Sequence, residues 1–183
     1  MKRREALKLT ASLIGTAIIG SELFLSGCAN IDKNTSLFSD ADISLLDEVG
    51  EVILPRTDLS PGAKDAKIGL FIISIVTHCY DEKEQNIFTN GIKELNRISR
   101  KKYGVKFVAL EKEQKYDIIA LLDKDTRNRT DDNPPHFFPM MKQLTIWGYF
   151  TSEPGATKAL RYNQIPGKFI GCIPYKNGDK AWS

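Results

Sequence analysis

Cys28 follows Leu25-Ser26-Gly27, and this placement gives its thiol a chemical role. A cysteine behind small residues, at the end of an apolar run, can become a new N-terminus and take a diacylglycerol on sulfur. The four positions resemble a lipobox; the alternative is a chance cysteine closing an ordinary signal. One acyl chain binds a bilayer only marginally, so stable anchoring needs two or three. The other reactive side chains are less well placed. His78 and Cys79 are neighbours, and adjacent helical positions point about 100 degrees apart, so they do not face each other as a nucleophile and base must. They read as a helix-terminal histidine and a structural cysteine. His136, between Pro134-Pro135 and Phe137-Phe138, reads as a loop or capping histidine. Asp123, Asp125, Asp131 and Asp132 lack the glycine and distal glutamate of an EF-hand calcium loop and read as solvated.

With Cys28 acylated, Cys79 and Cys172 remain. They can pair with each other, stay as buried thiols, or bridge to a partner chain. Two cysteines and scattered histidines cannot make a structural zinc site or an iron–sulfur cluster. The chain has no Gly-x-Gly-x-x-Gly, no Walker loop and no Gly-x-Ser-x-Gly. No catalytic residue, cofactor site or metal site is therefore expected in this chain.

The C-terminal third is different. Trp147, Tyr149 and Phe150 precede Thr151-Ser152-Glu153-Pro154-Gly155, and then come Arg161-Tyr162 and Gly171-Cys172-Ile173-Pro174-Tyr175. Trp, Tyr and Arg dominate interface hot spots, so this segment could bind a partner or simply cap a core.

These groups need elements to position them. Residues 1–27 read as a signal peptide: Lys2, Arg3, Arg4 and Lys8 precede an apolar run over residues 9–25 that is broken by Gly15, Gly20 and Glu22. Arg3-Arg4 with Leu7 and Lys8 resembles the twin-arginine signal, whose receptor exports folded proteins, although Ala6 stands where an aromatic residue is common; the general secretory route is the alternative. Residues 28–38 read as a lipidated tether and residues 39–183 as the folded domain. Ser39 or Asp40 can cap a first helix that ends at Pro55. Residues 63–80 predict a second helix, apolar nearly all round and so central and buried. Residues 81–103 predict a third helix stopped by Gly104, residues 110–123 a fourth and residues 137–150 an aromatic-rich fifth. Residues 125–135 read as an exposed loop. Past Thr151 the glycines and prolines recur too often for regular structure. The fold class is all-α: a compact bundle of about five helices with an irregular Gly-, Pro- and aromatic-rich tail.

Net charge is +3, of which the segment before Cys28 supplies +2. The mature chain is nearly neutral, which argues against a nucleic-acid surface. About 155 mature residues suffice for one core. Ala29 and Asn30 follow the lipobox without an aspartate that would favour inner-membrane retention, so an outer-membrane, periplasm-facing anchor is slightly favoured.

Leu46 to Pro55, Pro61-Gly62-Ala63, Tyr103-Gly104, Phe137-Phe138, Leu144 to Gly155, and Pro166-Gly167 through Gly171-Cys172-Ile173-Pro174-Tyr175 to Trp182 together resemble the gluconate 2-dehydrogenase subunit 3 family. The resemblance implies a small, non-catalytic accessory subunit of a membrane-associated dehydrogenase. FAD would sit in a separate large subunit of the glucose–methanol–choline type, and a cytochrome c subunit could take the electrons. The small subunit would help the large one mature and cross the membrane. A lipobox departs from the soluble periplasmic pattern and would make this chain the anchor as well. On this reading Trp147, Tyr149, Phe150, Glu153, Arg161, Tyr162 and Cys172 are the expected partner contacts. A free-standing lipoprotein with an aromatic ligand pocket is the alternative.

Overall fold

Two of the helix starts in this chain are set by short polar side chains that turn back on the backbone, at Ser39 and at Asp81. The computed structural model describes residues 37–129, 135–165, 167–168 and 170–182; Arg3, Arg4 and Cys28 lie outside them. Helix α1 spans Asp40–Ile53. The Ser39 N–H and hydroxyl both donate to the Asp42 carboxylate, at 2.9 and 2.7 Å, which fixes Ser39 as the cap. Helix α2 spans Ile68–Cys79 and helix α3 Glu82–Tyr103. At the start of α3 the Glu84 N–H donates to Asp81 at 2.8 Å while the Asp81 N–H donates to Glu84 at 3.1 Å. Gly104, at φ 80°, ends α3 in the left-handed conformation that glycine adopts without penalty. Helix α4 spans Lys112–Arg127 and helix α5 Phe137–Thr151. Short 3-10 turns at Ala63–Ala66 and Phe107–Ala109 and a π turn at Gly155–Ala159 complete the regular structure. The described residues contain no strand, only an isolated bridge between Arg161 and Trp182.

The helices bury one continuous core. Leu46 and Val49 of α1, Ile72 and Val76 of α2, Phe88 and Leu95 of α3, Ile118 and Leu122 of α4, and Phe138 and Met141 of α5 all meet in it. Burying each such side chain is worth about 1.5–3 kcal/mol relative to leaving it in water. In α3 the buried positions Phe88, Gly91, Ile92, Leu95 and Ser99 follow helical spacing, which is why the stripe was legible. Gly91 is required by contact: a Cβ there would lie 2.1 Å from Cγ of Phe137.

Four expectations are corrected here. The second helix does not begin at residue 63. The 3-10 turn Ala63–Ala66 comes first and Lys67 takes the left-handed conformation (φ 51°, ψ 48°), so the helix axis restarts at Ile68. Asp47 of α1 accepts the Gly69 N–H at 2.8 Å, which holds that restart against α1. Nor is this helix central. α5 packs against each of the other four helices, while α2 leaves Leu70 exposed. The fourth helix begins at Lys112, after the Phe107–Ala109 turn, and runs on to Arg127, so Asp125 is helical. Asp123 and Arg127, one turn apart, form an ion pair at 2.5 Å that supports the extension. Lastly, Phe38 is no part of a tether: it is buried edge-on against Phe88, ring centroids 6.1 Å apart.

Charged side chains tie the helices at their edges. Glu48 of α1 accepts from Lys64 of the first 3-10 turn and from Lys115 of α4, the latter at 3.0 Å. Burial alone would raise the Glu48 pKa, but the hydrogen bonds from Lys64 and Lys115 outweigh it and hold the carboxyl below its usual value. Asp123 likewise accepts from Lys142 of α5 at 2.7 Å, and that bond foremost holds its pKa down. Partly exposed pairs of this kind contribute about 0–1 kcal/mol each, so apolar burial decides stability and the ions set register.

Candidate functional site

The expected contact residues divide between two places. α5 carries Trp147, Tyr149 and Phe150, and the segment after the π turn carries Arg161, Tyr162 and Cys172. Two residues apart on a helix is about 200 degrees, so Trp147 and Tyr149 cannot both face solvent. Trp147 faces out at 51% exposure, while Tyr149 is 3% exposed. Tyr149 is therefore a correction to the expected contact set. Its phenol donates to the Pro61 carbonyl at 2.5 Å and pins the 55–62 loop to the bundle, and burial raises its pKa. Phe150 is half-buried, edge-on to Tyr149 at 5.1 Å. Glu153 is exposed and its backbone carbonyl accepts from the Thr157 hydroxyl.

Around Trp147 the surface is apolar. The indole meets Phe71 of α2 edge-on at 5.4 Å. Gly148 makes that approach possible, because a Cβ there would fall 2.3 Å from Phe71 Cδ1. Pro139, Lys142, Gln143 and Ile146 complete a shallow hollow of about 400 Å³ beside the indole. Leu70, Phe71 and Ile146 were not among the expected contacts. For Leu70 and Phe71 the signal was present: α2 is apolar nearly all round, yet its buried positions are Ile68, Gly69, Ile72 and Val76.

The second place is residues 161–182, where every residue with described side-chain burial is exposed. Its ends are joined. The Arg161 N–H donates to the Ala181 carbonyl at 2.7 Å, and the Arg161 guanidinium lies over the Trp182 ring at 4.1 Å. Nothing in the local sequence signals this closure, since the partners stand twenty and twenty-one positions from Arg161. Cys172 lies in this segment and Cys79 at the end of α2; both are exposed free thiols with no bond between them.

A larger cleft, about 800 Å³, lies among α3, α4 and the start of α5. Its histidine and glutamate already have structural work. His136 Nδ1 accepts from the Phe138 N–H at 3.2 Å and caps α5. Burial, and then the charge of Arg129, push the His136 pKa below its ordinary value, against Asp125 and Glu94. Glu94 is held by Arg97 in a two-pronged pair at 2.6 and 2.7 Å. Among the described residues no three His, Cys, Asp or Glu side chains gather as metal ligands, and no helix is long and apolar enough to cross a membrane. His78 and Cys79 are both exposed at the end of α2. The exposed members of the expected contact set thus fall in two places, around Trp147 on α5 and along residues 161–182.

The family model for gluconate 2-dehydrogenase subunit 3 matches residues 40–167, from the start of α1 into the exposed C-terminal segment. The match ends before Gly171 to Tyr175 and Trp182. Comparison with curated proteins and with solved structures returned no match.

Proposed function

The chain belongs to the gluconate 2-dehydrogenase subunit 3 family, and from that premise we propose that it is the non-catalytic small subunit of a flavin-dependent sugar or alcohol dehydrogenase. In this reading the catalytic FAD sits in a large partner subunit of the glucose–methanol–choline type, and a cytochrome c subunit can take the electrons. The small subunit folds with the large one, escorts it through the twin-arginine route by Arg3 and Arg4, and holds it at the membrane by lipid on Cys28. Export of a folded complex suits a flavoprotein, whose cofactor must be loaded before it leaves the cytoplasm. Gluconate is one candidate substrate among several sugars and alcohols.

The family match over residues 40–167 carries this reading. The exposed surface supports it. A bundle with a well-filled core still leaves Trp147, Ile146 and Leu70 in water on its helices and Ile165 and Tyr175 in its C-terminal segment. Such surface on a small subunit fits burial against a larger protein.

The test is co-expression of the full chain with a tagged large flavoprotein subunit, and purification through that tag from detergent-solubilised membranes. A yellow complex holding both chains is expected. Replacing Arg3 and Arg4 by lysine should leave the flavoprotein in the cytoplasm, and Cys28→Ser should release the complex from the membrane. A colourless small subunit that never co-purifies would turn the reading towards a free-standing ligand-binding lipoprotein.

A further inference from the structure

Residues 161–182 form a loop whose two ends are already fastened. Besides the Arg161–Ala181 hydrogen bond and the Arg161–Trp182 stack, the Lys180 ammonium donates to the Lys158 carbonyl of the π turn. The π turn in turn packs on α5, so the loop is tied to the bundle. Closing a loop before it binds removes part of the ordering cost that a free tail would meet on docking.

Three properties of the closed loop point to its occupant. It is apolar and uncovered: Ile165 is 79% and Tyr175 74% exposed. It is basic, with Arg161, Lys168, Lys176 and Lys180 against Asp179 alone. And its backbone is open: among the described residues, no hydrogen bond within the chain takes the N–H groups of Gly171, Cys172, Ile173 or Tyr175. Open backbone argues against a lipid layer as the main occupant, because acyl chains offer it no hydrogen bonds. A protein groove offers them, together with pockets for the side chains. The family match ends at residue 167, so most of the loop lies beyond the matched body.

Building on the subunit reading, we propose that the clasped loop 161–182 is the element that recognises the large flavoprotein subunit, docking in an apolar groove of that protein rimmed by carboxylates. The body of the chain supplies the platform and the loop supplies the choice of partner.

The test uses the full chain co-expressed with the tagged flavoprotein subunit, and compares it with two variants: Trp182→Ala, which removes the stack that Arg161 makes at the clasp, and Lys168→Glu with Lys176→Glu, which reverses the charge. Each should weaken binding to the flavoprotein by at least about tenfold, the range of interface hot spots. The loss from charge reversal should shrink as salt rises. Thermal unfolding of the small subunit should stay the same in both variants. Undiminished affinity in both would overturn the loop proposal and leave the subunit reading standing. The same holds if affinity is kept and binding to phosphatidylglycerol-containing vesicles is lost instead, which would make the loop a membrane contact. If the unaltered chain itself captures no flavoprotein, both proposals fall.

Discussion

The helical body and the C-terminal loop use the same residue types to opposite ends. In the body, Phe88, Leu95 and Met141 are sealed from water, and α5 reaches every other helix. In the loop, Ile165, Tyr175 and Trp182 stay exposed, held only at the two ends by Arg161 and Lys180. Composition alone does not separate the two. What separates them is spacing: the body repeats its apolar residues at helical intervals and so can bury them against itself, whereas prolines and glycines between 165 and 178 prevent any such repeat. The body buries most of its apolar stripe against itself, and the loop buries none of its own.

Substitutions can break that contrast. Phe88→Ala removes a fully buried ring and should cost about 3–5 kcal/mol in chemical denaturation. Tyr175→Ala, in the loop, should move stability by less than about 0.5 kcal/mol. Equal losses would show the loop to be part of the core. A smaller effect is expected of Gly91→Ala. Alanine gains about 1 kcal/mol of helix propensity, but its Cβ would stand 2.1 Å from the root of the Phe137 ring, and overpacking costs about 1–3 kcal/mol. A net loss of stability is predicted; a gain would mean that α5 slides easily on α3.

The smallest effect concerns pH. His136 must be neutral to accept the Phe138 N–H, and burial depresses its pKa in the folded chain. The unfolded chain then binds the proton more readily, so this contribution is full above the ordinary histidine pKa of about 6.5 and is lost as pH falls through the lower folded value. Denaturation curves at neutral and mildly acidic pH should differ less for His136→Asn than for the unaltered chain, since asparagine caps a helix without titrating. An unchanged difference would assign the acid sensitivity to the carboxylates instead.

Helix boundaries marked by local chemistry were legible in the sequence. Ser39 with Asp42, Asp81 with Glu84, and Gly104 each act within a few residues, and the third helix was placed almost to its ends. Features set by distant parts of the chain were not. The left-handed break at Lys67 goes with the Asp47 carboxylate on Gly69, twenty-two positions away. The central role of α5 escaped because α2 has the more continuous apolar run, and periodicity cannot say whether an apolar face is covered. Of the expected contacts, Trp147, Glu153, Arg161, Tyr162 and Cys172 lie exposed, Phe150 half so, and Tyr149 inside. That last misplacement was avoidable, since the two-residue offset from Trp147 already turned one ring inward.

The placement of the indoles has an optical consequence. The chain has only two tryptophans. Trp147 sits on the apolar hollow of α5 and Trp182 on the clasp, each about half exposed at 51% and 49%. No indole lies in the core. Intrinsic fluorescence therefore reports the two surfaces where a partner would sit. A blue shift on mixing marks those surfaces becoming dry, and a single-tryptophan variant tells which of them closed first.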